Sequence, residues 1–139
     1  MNLSEHFTLE EFIFTIHRNI DNTPTEAVLE KLKALAIHME GVRALLQAPV
    51  TVNSSYRCPE LNKAIGGSPK SQHMKGEAVD FTAKAFGTPA QIVNAINNSA
   101  IQFDQLILEY DSWVHISFSD KPRRQVLIID KKGTHPYVT

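Results

Sequence analysis

Residues 71–80, SQHMKGEAVD, contain the point at which the hydrophobic pattern of the chain changes. Before this stretch, apolar residues recur every three or four positions, as in amphipathic helices. From residue 77 onward, short runs rich in branched and aromatic residues are bounded by turn formers, as in strands. Gly76 argues against one continuous helix through the stretch. The sequence therefore predicts an α+β fold in which N-terminal helices pack on a small antiparallel sheet.

Three helix starts carry a capping box, in which a threonine caps the helix and an acid or amide three residues later bonds back to it. They are Thr8 with Glu11, Thr23 with Glu26, and Thr88 with Gln91. Phe7 is placed to pack on Phe12 across the first cap. After the second cap, an apolar stripe over residues 28–46 predicts one long scaffold helix. Pro59 is typical of the start of a further short helix.

Four runs predict strands, and the helix from Thr88 lies between the first two of them. The runs are AVDFTA, FDQLILEY, WVHISF and RQVLIID. Because the last three are close in sequence, we expect them to pair as an antiparallel meander. Residues 130–133 are predicted to form the turn that closes the last strand, with a polar tail behind it.

The 139-residue length predicts a single domain over residues 1–139. The formal net charge of -1 offers no general basic surface, so we expect no nucleic-acid partner. No apolar run is long enough for membrane insertion, and the first residues lack the pattern of a secretory signal. We expect a monomer made in the cytoplasm. The single cysteine, Cys58, excludes an internal disulfide and a multi-cysteine zinc site.

A metal site in this chain would have to use imidazole and carboxylate groups. A turn at Gly76 followed by a strand could fold Asp80 back beside His73, and strand alternation could present His115 on the same side. Two imidazoles and one carboxylate, with a position left for water, are the ligands of a catalytic zinc site. The alternatives are a core histidine and a turn-capping aspartate, and the spacing leaves both interpretations open.

Zinc-dependent hydrolysis also needs a group that takes a proton, and the candidates are Glu109 and Asp111. If the loop before WVHISF has three residues, Glu109 pairs with Trp113 and faces the side of His115. If the loop has two residues, Glu109 pairs with Val114 and points away. We favour Glu109, because a buried glutamate at the end of QLILE is otherwise hard to explain.

The other acidic and histidine side chains are predicted to lie outside the site. Asp104 is interpreted as a turn residue and Glu77 as a solvated one. The histidines without a role are His6 beside a helix cap, His17 and His38 on helices, and His135 in the polar tail.

Residues 71–80 also resemble the S-x-H-x-x-G-x-A-x-D signature of the zinc D-Ala-D-Ala carboxypeptidase family. The family includes vancomycin-resistance D,D-peptidases and phage L-alanyl-D-glutamate endopeptidases. SSYRCPELN resembles its S-x-Y-R-S-P-x-L-N segment, and WVHIS resembles its W-V-H-x-S strand. HFTLEEF and NTPTEAV resemble the N-terminal part of a branch that occurs often in phages and prophages. The resemblance covers residues 4–118.

The resemblance implies a Hedgehog/DD-peptidase-type fold and one Zn²⁺ ion. The residues that correspond to the zinc ligands are His73, Asp80 and His115. Arg57 corresponds to an arginine that holds a substrate carboxylate or carbonyl group. Ser71 corresponds to a serine that either binds substrate or holds the loop. Many relatives carry the catalytic acid where this chain has Ser112, which cannot serve.

The resemblance further implies zinc-dependent hydrolysis of an amide bond in peptidoglycan stem peptides, by a D,D-carboxypeptidase or an endopeptidase. We expect an endolysin that reaches the cell wall and periplasm after a holin opens the inner membrane. Two alternatives remain: a zinc-binding module without catalysis, which the serine at position 112 keeps open, and a phage tail-associated wall-penetrating protein. The sequence leaves open the bond that is cut and the identity of the metal.

Overall fold

A computed structural model describes residues 1–138 and confirms the α+β class. The helices are α1 (Leu9–Ile13), α2 (Glu26–Leu46), α3 (Pro59–Ala64) and α4 (Pro89–Asn97), with a 3₁₀ turn at Gln72–Lys75. The strands are β1 (Thr51–Ser54), β2 (Ala78–Thr82), β3 (Gln105–Glu109), β4 (Trp113–Ser117), β5 (Gln125–Asp130) and β6 (Gly133–Pro136).

Two of the three predicted helix starts are confirmed, and the second is displaced by two residues. The capping boxes at Thr8 and Thr88 are both formed. At α2 the N-cap is Thr25, whose hydroxyl accepts a hydrogen bond from the Val28 backbone, and not Thr23. The sequence TPTE offers two threonines, and the backbone N–H of Thr23 is already bound to Asp21. The predicted packing of the Phe7 ring on the Phe12 ring is present, with centroids 5.9 Å apart.

Helix α2 supplies the helical side of the core. Its buried residues follow the predicted stripe at three- and four-residue spacing, and they are Leu32, Leu35, Ala36, Met39, Val42 and Leu46. Alternate residues of the central strands complete the core, among them Val79, Phe81, Leu106, Val114 and Ile116. One face of the sheet is therefore covered, and polar side chains of the same strands are left for the other face.

The six strands form one mixed sheet in the order β1-β2-β4-β3-β5-β6. The predicted antiparallel meander is correct for β3 and β4 but wrong for β5, which pairs with β3 in parallel. The reason is that β2 occupies the other edge of β4. When the chain turns back after β4, the available edge is that of β3, and the returning strand then runs parallel to it.

The C-terminal segment and the residues after α1 also differ from the prediction. The turn at residues 130–133 is present, but it leads into strand β6, which pairs with β5. His135 belongs to this strand and not to a polar tail, and its Nε2 lies 2.7 Å from Oδ2 of Asp130. His17 is not helical, because α1 ends at Ile13.

Gly76 ends the 3₁₀ turn with a φ of +71°, in the left-handed region that favours glycine. A side chain there would also meet α2, because an added Cβ would lie 3.2 Å from the Cβ of Lys31 and 3.4 Å from Leu32. The glycine thus lets the chain reverse tightly against α2 between His73 and strand β2. Within residues 1–138, no helix combines the length and the apolar character needed to cross a membrane.

Candidate metal centre and cleft

The 3₁₀ turn positions His73. The Ser71 hydroxyl caps the turn by accepting a hydrogen bond from the His73 backbone N–H at 3.1 Å. The His73 ring is buried, and its Nδ1 donates to the carbonyl oxygen of Ser55 at 2.6 Å. That bond fixes the tautomer and leaves Nε2 with a free lone pair directed toward Asp80.

Strand register places Asp80 beside His115. The two residues are direct cross-strand partners on β2 and β4. Oδ1 of Asp80 lies 2.9 Å from Nδ1 of His115 and 3.3 Å from Nε2 of His73. One ligand atom from each of the three residues lies within 4.8 Å of the others. The three side chains that the sequence predicted to converge therefore lie together.

These residues fit a divalent transition metal such as zinc. Zinc binds imidazole nitrogen and carboxylate oxygen at about 2.0–2.2 Å, so two ligands of one ion lie roughly 3–4 Å apart. The separations of the Asp80 oxygen from the two imidazole nitrogens are of that size. The bond from His73 to the Ser55 carbonyl is the kind of outer contact that orients metal-binding histidines.

The carboxylate of Asp80 is held in its charged form although it is largely buried. Burial by itself raises its pKa, but the adjacent His115 and His73 side chains outweigh burial and lower the pKa below its ordinary value. Asp80 therefore presents an ionised oxygen next to two imidazoles. This answers the alternative interpretation of Asp80 as a turn cap, because the residue lies within β2.

Glu109 lies on the same face. It pairs with Trp113 across a three-residue connection, so the first of the two predicted registers is the one observed. Its Oε1 lies 3.9 Å from Nδ1 of His115. Burial raises the pKa of Glu109, and the nearby charge of Asp80 raises it further. Asp111, the other candidate, is exposed at the tip of the turn, with a φ of +52°.

Arg57 and Ser71 form a second pair in the site. Nη2 of Arg57 donates to the Ser71 hydroxyl at 3.0 Å, and the Arg57 backbone N–H donates to the His73 carbonyl at 3.1 Å. Burial lowers the pKa of the guanidinium, while the charges of Asp80 and Glu109 favour its charged form. Nε of Arg57 is buried and has no hydrogen-bond partner among residues 1–138. No hydrogen bond from Nη1 of Arg57 forms within residues 1–138, so this end of the guanidinium is available to a ligand.

The three candidate metal ligands line one open cleft of about 1100 Å³ together with Glu109, Arg57 and Ser71. Glu77 also lines it, but the prediction that this residue is solvated is wrong. Its side chain is 14% exposed and lies 3.3 Å from Nζ of Lys31 on α2. The Glu77 carboxylate therefore helps to hold the turn against the helix.

Asp104, interpreted as a turn residue, lies at a bend before β3, but it is also 3% exposed and accepts four hydrogen bonds. The Arg123 guanidinium donates two, both at 2.8 Å, and the Arg123 backbone and the Gln72 amide donate one each at 3.0 Å. The cluster connects the loop before β5 to the 3₁₀ turn that carries His73. No local pattern indicated it, since its members lie 19 and 32 positions from Asp104.

We expect an acid-dependent loss of stability from this cluster. The hydrogen bonds from Arg123 lower the pKa of Asp104 from 3.8 to about 2. Because the folded-state pKa is the lower one, ionised Asp104 stabilises the fold above pH 3.8, and this contribution is lost as the pH falls toward 2. Asp104→Asn should lower the free energy of unfolding at pH 7 by about 1–3 kcal/mol.

Urea unfolding of the wild type and Asp104→Asn at pH 7 and at pH 2.5, the latter chosen to lie roughly within this titration range, measures the effect. The difference between the two proteins should shrink at the lower pH. An equal difference at both pH values would show that the charge of Asp104 contributes nothing.

The comparisons with known proteins agree with the geometry. A model of the Peptidase M15 family matches residues 5–117, which include every candidate side chain of the metal centre. Among curated proteins, no sequence matches the chain. The match covers most of the chain, and His73, Asp80 and His115 meet in one cleft. The chain belongs to the Peptidase M15 family of zinc-dependent, D-Ala-D-Ala carboxypeptidase-like metallopeptidases.

Proposed function

We propose that this chain is a zinc peptidase that hydrolyses an amide bond in the stem peptides of bacterial peptidoglycan, as a D,D-carboxypeptidase or an endopeptidase. The observation that carries the proposal is that four side chains lie together in one cleft. His73, Asp80 and His115 lie together as a possible metal site, and the carboxylate of Glu109 lies beside them. Two imidazoles, one carboxylate and a separate acid are the parts that zinc-dependent amide hydrolysis requires.

In the proposed mechanism His73 Nε2, His115 Nδ1 and an Asp80 oxygen would hold the ion. When bound, zinc supplies Lewis acidity to the scissile carbonyl and to the attacking water. Glu109 accepts a proton from the water as the water oxygen bonds to the carbonyl carbon. Glu109 then gives that proton to the amide nitrogen as the carbon–nitrogen bond breaks. Burial raises the pKa of Glu109, which suits a residue that must both take and return a proton.

Arg57 is the proposed anchor for the substrate. Its Nη2 is held by Ser71, its backbone N–H is bonded to the His73 carbonyl, and its buried Nε lacks a protein acceptor in the described chain. A guanidinium held in this way suits a carboxylate or carbonyl group of the peptide. Ser71 acts in this scheme through Arg57 and through the cap of the turn, and it orients both Arg57 and His73.

The serine at position 112 favours the alternative of a zinc-binding module without catalysis. Against it stands Glu109, which is separated from Trp113 by the three-residue connection and shares the face of His115. A carboxylate from the neighbouring strand can therefore replace the acid that many relatives carry near the final histidine. For the cellular role we propose an endolysin that acts on the cell wall after holin-type release, with a tail-associated protein as the other possibility.

The experiment is to incubate the zinc-loaded protein with purified peptidoglycan and with a defined stem pentapeptide. Release of new amino groups is measured, and mass spectrometry of the products identifies the bond. We expect one cleaved bond in the pentapeptide, loss of activity after chelation and recovery on adding zinc. If a folded protein with one bound zinc releases no amino groups from either substrate, the proposed function is wrong.

A further inference from the structure

The cleft contains a second arginine, Arg123, that the proposed mechanism does not use. Its side chain is 56% exposed, yet its orientation is fixed by an ion pair with the buried carboxylate of Asp104. The contact is side-on, since Nε and Nη2 each donate to a different oxygen of Asp104 at 2.8 Å. Arginine has five N–H donors, so this contact leaves the outer edge of the guanidinium with parallel N–H groups on Nη1 and Nη2.

Nothing within residues 1–138 accepts a hydrogen bond from Nη1 of Arg123, because the bonds of this residue come from Nε, Nη2 and the backbone nitrogen. The outer edge is therefore free to bind a planar anion such as a carboxylate, in the two-bond arrangement that arginine favours.

The backbone that carries Arg123 is also fixed. The next residue, Arg124, donates to the carbonyl oxygens of Ser99 at 2.7 Å and Ile101 at 3.2 Å, and its guanidinium lies 4.6 Å from the centre of the Phe103 ring. Arg123 is thus held through its side chain by Asp104 and through its neighbour by the loop before β3. Prior ordering of this kind reduces the entropy lost when a ligand binds.

Arg123 is connected to the metal centre through Asp104 and Gln72. Asp104, which orients it, also accepts a hydrogen bond from Gln72, and the residue after Gln72 is His73. Arg57 is bonded to the backbone of that same His73. The two arginines therefore line one cleft with the candidate metal ligands, and each has donors left for an anion.

The rim of the cleft carries further cations. Three lysines line it, Lys70, Lys75 and Lys121, and none of them has an ion-pair partner in the described part of the chain. Five carboxylates also line the cleft. Asp104 is bound to Arg123 and Glu77 to Lys31, while Asp80 and Glu109 lie at the candidate metal centre. Asp120 is exposed and has no ion-pair partner among the described residues. A substrate with more than one negative group is the chemical class that matches this arrangement.

We propose that Arg123, oriented by Asp104, binds a second carboxylate of the substrate and so determines specificity for acidic stem peptides. This inference rests on the proposed function. The first carboxylate or carbonyl group of the substrate is assigned to Arg57, and the second to Arg123. Replacing the second carboxylate by a carboxamide removes the charge and presents an N–H group to the arginine, which weakens binding.

The test uses three synthetic stem pentapeptides that contain D-glutamate and meso-diaminopimelate. One has both side-branch carboxyl groups free, one is amidated at the D-glutamate α-carboxyl, and one is amidated at the diaminopimelate carboxyl. For the wild type, we expect at least one amidation to lower kcat/KM by about tenfold, the effect of losing a hydrogen-bonded charge. For Arg123→Gln, we expect the three peptides to be cleaved with nearly equal kcat/KM.

A merely structural role for Arg123 would lower kcat/KM for all three peptides by the same factor and leave their ratio unchanged. Lys84→Gln removes an exposed cation outside the cleft and should keep the wild-type ratio. If Arg123→Gln does not fold, the double variant Asp104→Asn/Arg123→Gln, which removes both charges of the pair, takes its place.

Equal cleavage of all three peptides by the wild type overturns the role of Arg123 and leaves the proposed function standing. The same holds if the variant keeps the wild-type ratio. Cleavage of none of them by the zinc-loaded wild type is the separate failure of the proposed function, and the inference fails with it.

Discussion

Glu109→Gln should lower kcat/KM for a stem peptide by about 10²- to 10⁴-fold, the usual contribution of a positioned proton-transfer group. Glutamine keeps the size and much of the hydrogen bonding of the side chain but cannot take a proton from water. The zinc content of the variant should stay at the wild-type level, because Glu109 lies beside the three candidate ligands and is not one of them. Steady-state kinetics together with metal analysis measures both effects.

Asp111→Asn is the matched control for Glu109→Gln. Asp111 is the other carboxylate near the end of β3, but it is exposed at the tip of the turn. The Asp111→Asn substitution should change kcat/KM by less than about threefold, as for surface positions away from the reacting groups. If Asp111→Asn loses the activity and Glu109→Gln keeps it, the assignment of the proton acceptor is reversed. If Glu109→Gln loses zinc as well, its role is in the metal site.

His115→Ala should weaken zinc binding by more than about a hundredfold, since even changes to groups that only orient the ligands cost 10- to 100-fold. The variant should also lose the stabilisation that zinc gives the folded wild type, which is about 2.7 kcal/mol when free zinc is one hundred times its dissociation constant. Zinc titration and thermal unfolding with and without metal measure the two effects.

His135→Ala provides the control for His115→Ala. Like His115, His135 lies on a strand with a ring nitrogen against an aspartate oxygen, here Asp130 at 2.7 Å, but it is outside the cleft. The His135→Ala variant should therefore bind zinc as tightly as the wild type. Unchanged zinc affinity in His115→Ala, or an equal loss in both variants, would contradict the proposed ligand set.

Much of the site could be predicted because strand alternation and register are local properties. The placement of Asp80, Glu109 and His115 on one face followed from period-two alternation and from the length of one turn. The alternation left one residue of register undecided, and the structure selects the three-residue connection. The family resemblance supplied the roles of these residues, which spacing alone did not.

The errors arose where distant parts of the chain decide the outcome. The sequence predicts strand β5 beside β4 because neighbouring strands often pair, but β2 occupies that edge. The local sequence of Asp104 indicates only a turn, whereas its partner Arg123 lies 19 residues away. At α2, Thr23 has the T-x-x-E spacing of a capping box, but the hydroxyl of Thr25 caps the helix and the Thr23 N–H bonds to Asp21. Each choice depended on contacts that only the folded chain brings together.

The most direct test of the central claim is a crystal structure of the zinc-loaded protein with an anomalous difference map at the zinc absorption edge. We expect one strong peak within about 2.0–2.2 Å of His73 Nε2, His115 Nδ1 and an oxygen of Asp80. A zinc peak elsewhere, or one that leaves any of these three side chains outside bonding distance, would contradict it.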